Sequence, residues 1–139
     1  MKLNRFVGTA VAMLATGAWF TAVAEEGRAE NWPRWRGPRD NGSTEAGRYP
    51  VQWSGTENLL WKTELPGKGC STPIVWEQNI YVTTPVQGQD ALLALDWAGK
   101  KLWQTTVGAE KPGKHRNGSG SNPSPTTDGT SVFAYYKSG

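Results

Sequence analysis

The stretch "ALLALDWAGKKLW", residues 91–103, decides which fold the sequence predicts. Its apolar run predicts a strand over Ala91–Asp96, and a second strand is predicted over Lys101–Thr106. The residues between them are few enough for a hairpin turn, and Gly99 can adopt the positive φ that many such turns require. We therefore expect an antiparallel hairpin at this point of the chain.

The residues on either side of this hairpin also predict an all-β fold. Their apolar residues fall in short runs separated by turn-forming residues, and no helical period is sustained over about eleven residues. Hairpin turns are predicted at Glu77-Gln78, Gln87–Asp90 and Asp128–Thr130. The further predicted strands are Leu59–Glu64, Pro73–Trp76, Asn79–Thr84, Thr126–Thr127 with the residues before it, and Val132–Tyr136.

The sequence also repeats itself. "LWKT" at residues 60–63 returns as "LWQT" 42 positions later, and "STPIVWEQNIYV" at residues 71–82 aligns with "PSPTTDGTSVFA" 52 positions later. The additional residues of the longer spacing lie between Trp103 and Pro123, in a segment with the composition of a surface loop. A period of about 40 to 50 residues, with four short strands in each unit, is typical of the blades of a β-propeller.

The length of the chain limits how much of a propeller it can hold. Propellers have about four to eight blades, whereas these 139 residues contain one complete repeat and parts of its neighbours. We therefore predict a β-propeller of four-stranded antiparallel blades in which only the first one to two blades are present, an N-terminal fragment whose nearest partners are the missing blades of its own chain. The predicted domains are a signal peptide at 1–24, a lead-in segment at 25–58 and a partial propeller domain at 59–139, truncated at its C-terminus.

The N-terminus predicts export. Lys2 and Arg5 precede an uncharged, apolar stretch at residues 6–24 that closes with the small residues of Ala22-Val23-Ala24. This order is typical of a secretory signal peptide cleaved after Ala24. It places the mature chain in the periplasm or outside the cell, with no membrane span after cleavage. An uncleaved membrane anchor is the alternative, because the stretch is just long enough to span a bilayer.

The charge balance argues against a nucleic-acid partner. The chain carries 15 Lys and Arg against 12 Asp and Glu, and two of the basic residues, Lys2 and Arg5, belong to the predicted signal peptide. The mature chain is therefore nearly neutral, with a net charge of +1. Binding to a polyanion normally depends on a basic stripe that releases many counterions.

The opening hairpin resembles the tryptophan-docking repeat of PQQ-type β-propellers, in which Ala-x-Asp ends one strand, a Gly-Lys turn follows, and Trp ends the next strand. The matching residues are Ala94, Asp96, Gly99, Lys100 and Trp103, and Trp61 occupies the Trp position one repeat earlier. The chain departs from the motif in having one residue fewer and no Thr before the Gly. Residues 31–139 as a whole resemble the start of the exported PQQ-like or BamB-like propeller proteins of planctomycetes and their relatives.

The resemblance implies two different functions. One is a non-catalytic scaffold that binds a protein partner or a cell-envelope ligand. The other is the N-terminal part of a PQQ-dependent alcohol or sugar dehydrogenase, which needs oxygen ligands for a divalent cation, an Asp base and often a vicinal Cys pair. None of these groups can be recognised in the sequence, so no catalytic residue, metal ligand or cofactor-binding residue is assigned. PQQ is a candidate cofactor only because of the family resemblance. We favour the scaffold, and the dehydrogenase stays open as the alternative.

The loop between the repeats holds the candidate ligand-binding residues, which are Lys114, His115, Arg116 and Asn117. We interpret His115 itself as an exposed loop histidine, because no second ligand or base lies at a suitable spacing, but loops at blade junctions are also common places for binding residues. Cys70 is the single cysteine of the chain. Because no base lies near it in the sequence, we expect a small, partly buried side chain and no catalytic thiol there.

The lead-in contains "NWPRWRGPRDNG" at residues 31–42, which combines aromatic and cationic side chains. This composition suits either a binding patch for an anionic partner or a structural segment. The prolines and glycines predict an extended, turning path, and the resemblance places this stretch at the entry to the propeller. We therefore interpret Trp32 and Trp35 as anchors that fasten the lead-in to the blades.

Overall fold

The computed structural model describes residues 30–45 and 47–139. The signal-peptide prediction therefore lies outside the described residues. Within them the all-β prediction is confirmed, because six strands and no helix are present. This part of the chain consequently has no helix that could cross a membrane. The strands are β1 (Ile74–Trp76), β2 (Asn79–Val86), β3 (Gln89–Asp96), β4 (Lys101–Ala109), β5 (Thr126–Thr127) and β6 (Val132–Phe133).

Strands β1 to β4 form an antiparallel sheet in which each strand pairs with the next one along the chain. The β2–β3 turn is tighter than predicted, because it uses only Gln87 and Gly88, with φ angles of 51° and 76°. Two successive positive φ angles match the twist of a two-residue hairpin, which lets both strands run closer to the turn. The β3–β4 turn contains Gly99 with a φ of 77°.

The core lies on the first three strands of this sheet. Ile74 of β1, Val82 of β2, and Leu93 and Ala94 of β3 are almost completely buried. Burial of such side chains contributes about 1.5 to 3 kcal/mol each for the larger ones. Strand β4, in contrast, is exposed along most of its length, and Trp103 keeps 42% of its surface accessible.

Strands β5 and β6 form a separate two-stranded sheet that copies the β1–β2 hairpin. Ile74 pairs with Tyr81 in the first hairpin, and Thr126 pairs with Phe133 in the second. Each residue of the second pair lies 52 positions after its counterpart, which is the spacing of the sequence repeat. The two hairpins therefore have the same register as well as similar sequences.

The two repeats also contact each other at equivalent positions. The backbone N of Cys70 donates to Asn122 Oδ1 at 3.1 Å, and the N of Thr72 donates to Ser124 Oγ at 2.9 Å. Both contacts join residues that are 52 positions apart. The segments that precede β1 and β5 are therefore in direct contact.

The predicted strand Leu59–Glu64 is wrong, because these residues join no sheet. They lie instead beside the β3–β4 turn. Trp61 Nε1 donates to the carbonyl O of Trp97 at 2.9 Å, and Thr63 Oγ1 donates to that of Gly99 at 2.5 Å. The segment is therefore held by side-chain hydrogen bonds to a turn, which the alternation of residue types does not reveal.

The lead-in contacts both repeats through its backbone. Trp32 N donates to the O of Val75 at 2.8 Å and Trp32 O accepts from Val75 N at 2.9 Å, which adds a short bridge to the free edge of β1. The next carbonyl, that of Pro33, accepts from Thr127 N at 2.9 Å. Since Val75 and Thr127 are equivalent positions of the two repeats, the lead-in joins β1 to β5.

Candidate functional site

The candidate site is built on the segment 110–125, which runs from the end of β4 to the start of β5. Thr83, fully buried on β2, fixes its second half. The Thr83 hydroxyl lies 2.8 Å from the carbonyl O of Ser121 and 2.6 Å from that of Pro123, and it donates toward both. A buried hydroxyl that satisfies backbone carbonyls in this way holds a loop that has no strand pairing of its own.

Asp90 is a second buried anchor of this segment. Its side chain is completely inaccessible, and its two carboxylate oxygens accept hydrogen bonds from Ser121 Oγ and Ser138 Oγ, each at 2.5 Å. Tyr136, which is 2% exposed, places its hydroxyl in the same interior, where it has no hydrogen-bond partner among the described residues. Burial, together with the charge of Asp90, raises the pKa of Tyr136 to about 12.

The four loop residues predicted from the sequence, Lys114, His115, Arg116 and Asn117, are all exposed at the tip of this segment. Backbone groups of the tip are engaged: Asn117 N donates to His115 Nδ1 at 3.2 Å, and the carbonyl O of Arg116 accepts from Lys68 Nζ at 2.9 Å. The tip is therefore tied to the segment before β1, while its side chains face outward.

Two clefts flank the tip and divide the predicted residues between them. A cleft of about 310 Å³ is lined by Asn117 together with Lys68. A larger cleft of about 500 Å³ is lined by Lys114 together with Tyr135 and Lys137. His115 and Arg116 line neither of these two clefts.

Sequence reasoning did not identify Lys68, Tyr135 and Lys137 as site residues. Lys68 stands between two glycines, which only indicates a turn, and the other two follow a strand near the end of the repeat. For Lys68 alone, the repeat itself was an available signal. Residues 67–72 and 119–124 occupy equivalent positions at the 52-residue spacing, so the segments before β1 and β5 should meet.

Cys70 differs from the expectation, because its side chain is exposed instead of partly buried. Its Sγ lies 3.6 Å from the carbonyl O of Asn117. The difference arises because the segment before β1 runs along the surface of the loop tip and not through the core. The thiol consequently lies at the junction of the two segments that form the smaller cleft.

The residues of the repeat motif surround the β3–β4 turn. Asp96 Oδ1 accepts from the backbone N of Ala98 at 3.0 Å and of Lys100 at 2.8 Å, which closes the turn. The indole of Trp61 covers Gly99, where an added Cβ would meet Trp61 Cδ2 at 2.7 Å. Ala94 is buried opposite Trp103 in the ladder, and the Trp103 ring lies 6.0 Å from that of Tyr81. These contacts stabilise the end of the sheet that contains the β3–β4 turn. Segment 110–125 begins at the opposite end, beside the β2–β3 turn.

The aromatic residues of the lead-in have different surroundings. The Trp32 side chain is half-buried against Gly37, whereas Trp35 is 66% exposed. Two of the neighbouring arginines are neutralised by carboxylates, since Arg34 pairs with Asp40 at 3.2 Å and Arg39 pairs with Glu45 at 2.8 Å. The lead-in therefore presents little uncompensated positive charge to a polyanion.

Neither a metal site nor a related protein identifies the chemistry of this region. Across residues 30–45 and 47–139, no group of three or more His, Cys, Asp or Glu side chains lies close enough together to hold a metal ion. Comparisons of the chain with protein-family models, with curated proteins and with solved structures found no match.

Proposed function

We propose that this chain is a PQQ-like β-propeller repeat protein that is exported and acts in the cell envelope as a non-catalytic binding or assembly scaffold. The observation that carries the proposal is that buried polar side chains anchor segment 110–125 to the sheet while its cationic tip is exposed. Binding loops on a rigid framework are a common arrangement in proteins, because the framework lowers the entropy that is lost when a ligand binds.

The repeat geometry supports the propeller part of the proposal. The β1–β2 and β5–β6 hairpins share one register at a spacing of 52 residues, and equivalent positions of the two repeats contact each other. Trp61, one repeat before Trp103, lies on the Gly99 turn of the following unit. Radial repetition in which each unit contacts the next is the principle of a propeller.

The anchoring of the loop supports the binding part of the proposal. Thr83 and Asp90, both fully buried, contact Ser121 from two directions. Such contacts are costly to break, because a buried donor or acceptor that loses its partner costs about 1 to 3 kcal/mol. The second half of segment 110–125 is thereby held on the sheet, and Lys68 Nζ, which donates to the carbonyl O of Arg116 at 2.9 Å, ties the tip to the segment before β1.

The test is site-specific photo-crosslinking of the full chain in its native cell envelope. A benzophenone side chain is introduced at Arg116 in the tip and, as the matched control, at Lys100 in the β3–β4 turn. Both positions are exposed basic residues, and they lie at opposite ends of the sheet. We expect a discrete crosslinked product at position 116 and none at position 100.

Two results would contradict the proposal. Equal labelling at both positions would remove the assignment of the tip as the recognition surface. Dye reduction by the chain with added PQQ and Ca²⁺, in the presence of alcohols or sugars, would show catalysis and favour the dehydrogenase instead.

A further inference from the structure

The larger of the two clefts combines features that point to one class of ligand. It has a volume of about 500 Å³ and lies between the loop segment 113–123 and the residues that follow β6. The side chains that matter here are Lys114, Asn122, Tyr135 and Lys137, and we refer to it as the Lys114–Lys137 cleft. Its volume is within the range of small-ligand sites, about 300 to 1,000 Å³.

The charged residues that line the cleft are all positive. Two ammonium groups line it, and no carboxylate is among its lining residues. Within the described residues neither lysine forms an ion pair, since all salt bridges there involve arginines of the lead-in. Lys137 Nζ donates to the carbonyl O of Pro112 at 2.8 Å, which holds this side chain across the loop. A concave site with charge of one sign attracts a ligand of the opposite sign.

Two acidic side chains that contact this region accept hydrogen bonds from groups other than the lysines. Glu110 Oε1 accepts from the backbone N of Gly120 at 3.0 Å. Asp90 is completely buried, and both its oxygens accept from serine hydroxyls. Neither carboxylate forms a salt bridge with Lys114 or Lys137 among the described residues, so an anionic ligand would be the first group to pair with them.

An aromatic ring and a fixed amide complete the cleft. Tyr135 is 75% exposed although it lines a concave surface, so its ring is an open apolar platform. Asn122 Oδ1 accepts from the N of Cys70 and the N of Ser119, at 3.1 and 2.9 Å, which orients the amide. Its Nδ2 group has no acceptor among the described residues, which leaves a donor for a ligand hydroxyl.

We propose that the Lys114–Lys137 cleft binds an acidic saccharide, a sugar that carries a carboxylate or sulfate group. A sugar ring offers an apolar C–H face for Tyr135, hydroxyls for Asn122 and an anionic group for the two lysines. An acidic peptide would use the lysines but would have no flat face that requires the exposed ring. This inference rests on the proposed function, because it names the ligand class for the same loop.

The experiment measures binding of trigalacturonate to the full chain by calorimetry. Its methyl ester, which keeps the sugar rings and removes the charge, is the matched ligand control. We expect the ester to bind at least about tenfold more weakly, and Lys114→Gln and Lys137→Gln each to lower the affinity roughly tenfold, because each removes a charge-assisted hydrogen bond. Tyr135→Ala should lower it by a similar factor, while Lys100→Gln, which changes an exposed lysine at the other end of the sheet, should have no effect.

Near-ultraviolet circular dichroism on each variant shows whether it has folded, and only folded variants are compared. Absence of trigalacturonate binding would overturn the saccharide proposal. Equal binding of a hexaglutamate peptide that Tyr135→Ala leaves unchanged would also overturn it, in favour of an acidic peptide ligand. If the crosslink at position 116 forms in either case, the scaffold function stands and only its ligand class has been misassigned.

Discussion

The ring of Trp61 packs against Gly99, although the two residues are far apart in the sequence. The indole Nε1 donates to the carbonyl O of Trp97 at 2.9 Å, and a Cβ added at Gly99 would lie 2.7 Å from Trp61 Cδ2. Gly99 therefore serves two purposes: it adopts the positive φ of the β3–β4 turn, and it leaves room for the ring. This contact joins the segment before β1 to the sheet without any backbone pairing.

Gly99→Ala should destabilise the fold by about 2 to 4 kcal/mol, because it combines an unfavourable positive φ with displacement of Trp61. Gly88→Ala is the matched control, since Gly88 has a similar φ of 76° but nothing within 4 Å of an added Cβ. It should cost only about 1 to 2 kcal/mol. Urea unfolding of both variants measures the difference, and equal losses would show that the Trp61 contact contributes nothing.

Trp32→Ala should lower the free energy of unfolding by about 2 kcal/mol, because the ring is half-buried against Gly37. Trp35→Ala should change it by less than about 0.5 kcal/mol, since this ring is 66% exposed. Thermal unfolding of the two variants separates these expectations. If the Trp32→Ala variant unfolds at the same temperature as the original chain but no longer binds ligand, the interpretation of the lead-in as a binding patch would be restored.

Tyr136→Phe should stabilise the chain at neutral pH by up to about 1 kcal/mol, because it removes a buried hydroxyl that has no partner in the described structure. The pKa of Tyr136 is raised from 10.0 to about 12 in the folded chain. The folded state then holds the proton more tightly than the unfolded state, so stability falls as the pH rises from about 10 to about 12.

In the Tyr136→Phe variant, the free energy of unfolding should not show this fall at alkaline pH, because phenylalanine has no hydroxyl to titrate. Urea unfolding of both proteins at pH values below and above this window measures it. The difference in unfolding free energy between the two should shift in favour of the variant as the pH rises. Parallel curves across the window would contradict the assignment of the raised pKa to Tyr136.

Export predicts a processed N-terminus. Expressed from its full coding sequence in a bacterial host, the mature protein should begin at Glu25, because the small residues before it fit signal-peptidase cleavage. Intact-mass spectrometry of the periplasmic fraction checks this result. Recovery of the intact chain in the membrane fraction would support the uncleaved anchor instead.

Thr83→Val should loosen segment 110–125 while leaving the sheet intact. The hydroxyl that lies 2.8 Å from the O of Ser121 is lost, and valine fills nearly the same space. Hydrogen exchange should accelerate in the loop but not in β3. Thr106→Val, on the exposed strand β4, is the control and should leave the loop unchanged.

Much of the sheet could be predicted locally. The hairpin from Ala91 to Trp103 follows from an apolar run, a glycine with positive φ and a second run, and all three are properties of neighbouring residues. The bounds were less accurate at the β2–β3 turn, because Gln87 adopts a positive φ that its residue type does not indicate. The strand predicted at Leu59–Glu64 was wrong for a related reason. Its residues suit a strand, but their contacts are made by side chains to a distant turn.

The candidate site could be predicted only in part. Composition indicated an exposed cationic loop and so identified Lys114 to Asn117. It could not indicate that Tyr135 and Lys137 lie beside Lys114, because no periodicity relates polar residues on different segments. The buried carboxylate of Asp90 was missed as well, since its hydroxyl partners follow it by 31 and 48 positions.

The sequence by itself determined the all-β class, the hairpins and the spacing of the repeat, because these depend on local conformational preference and on residues that recur at a fixed interval. Only the tertiary structure decided that the lead-in bridges Val75 and Thr127, that Trp61 covers Gly99, and that two lysines and a tyrosine share one cleft. The physical reason is that such contacts are fixed by the path of the whole backbone. Closing long loops costs conformational entropy, and burial and hydrogen bonding throughout the sheet offset this cost. No single stretch of sequence therefore determines whether such a contact forms.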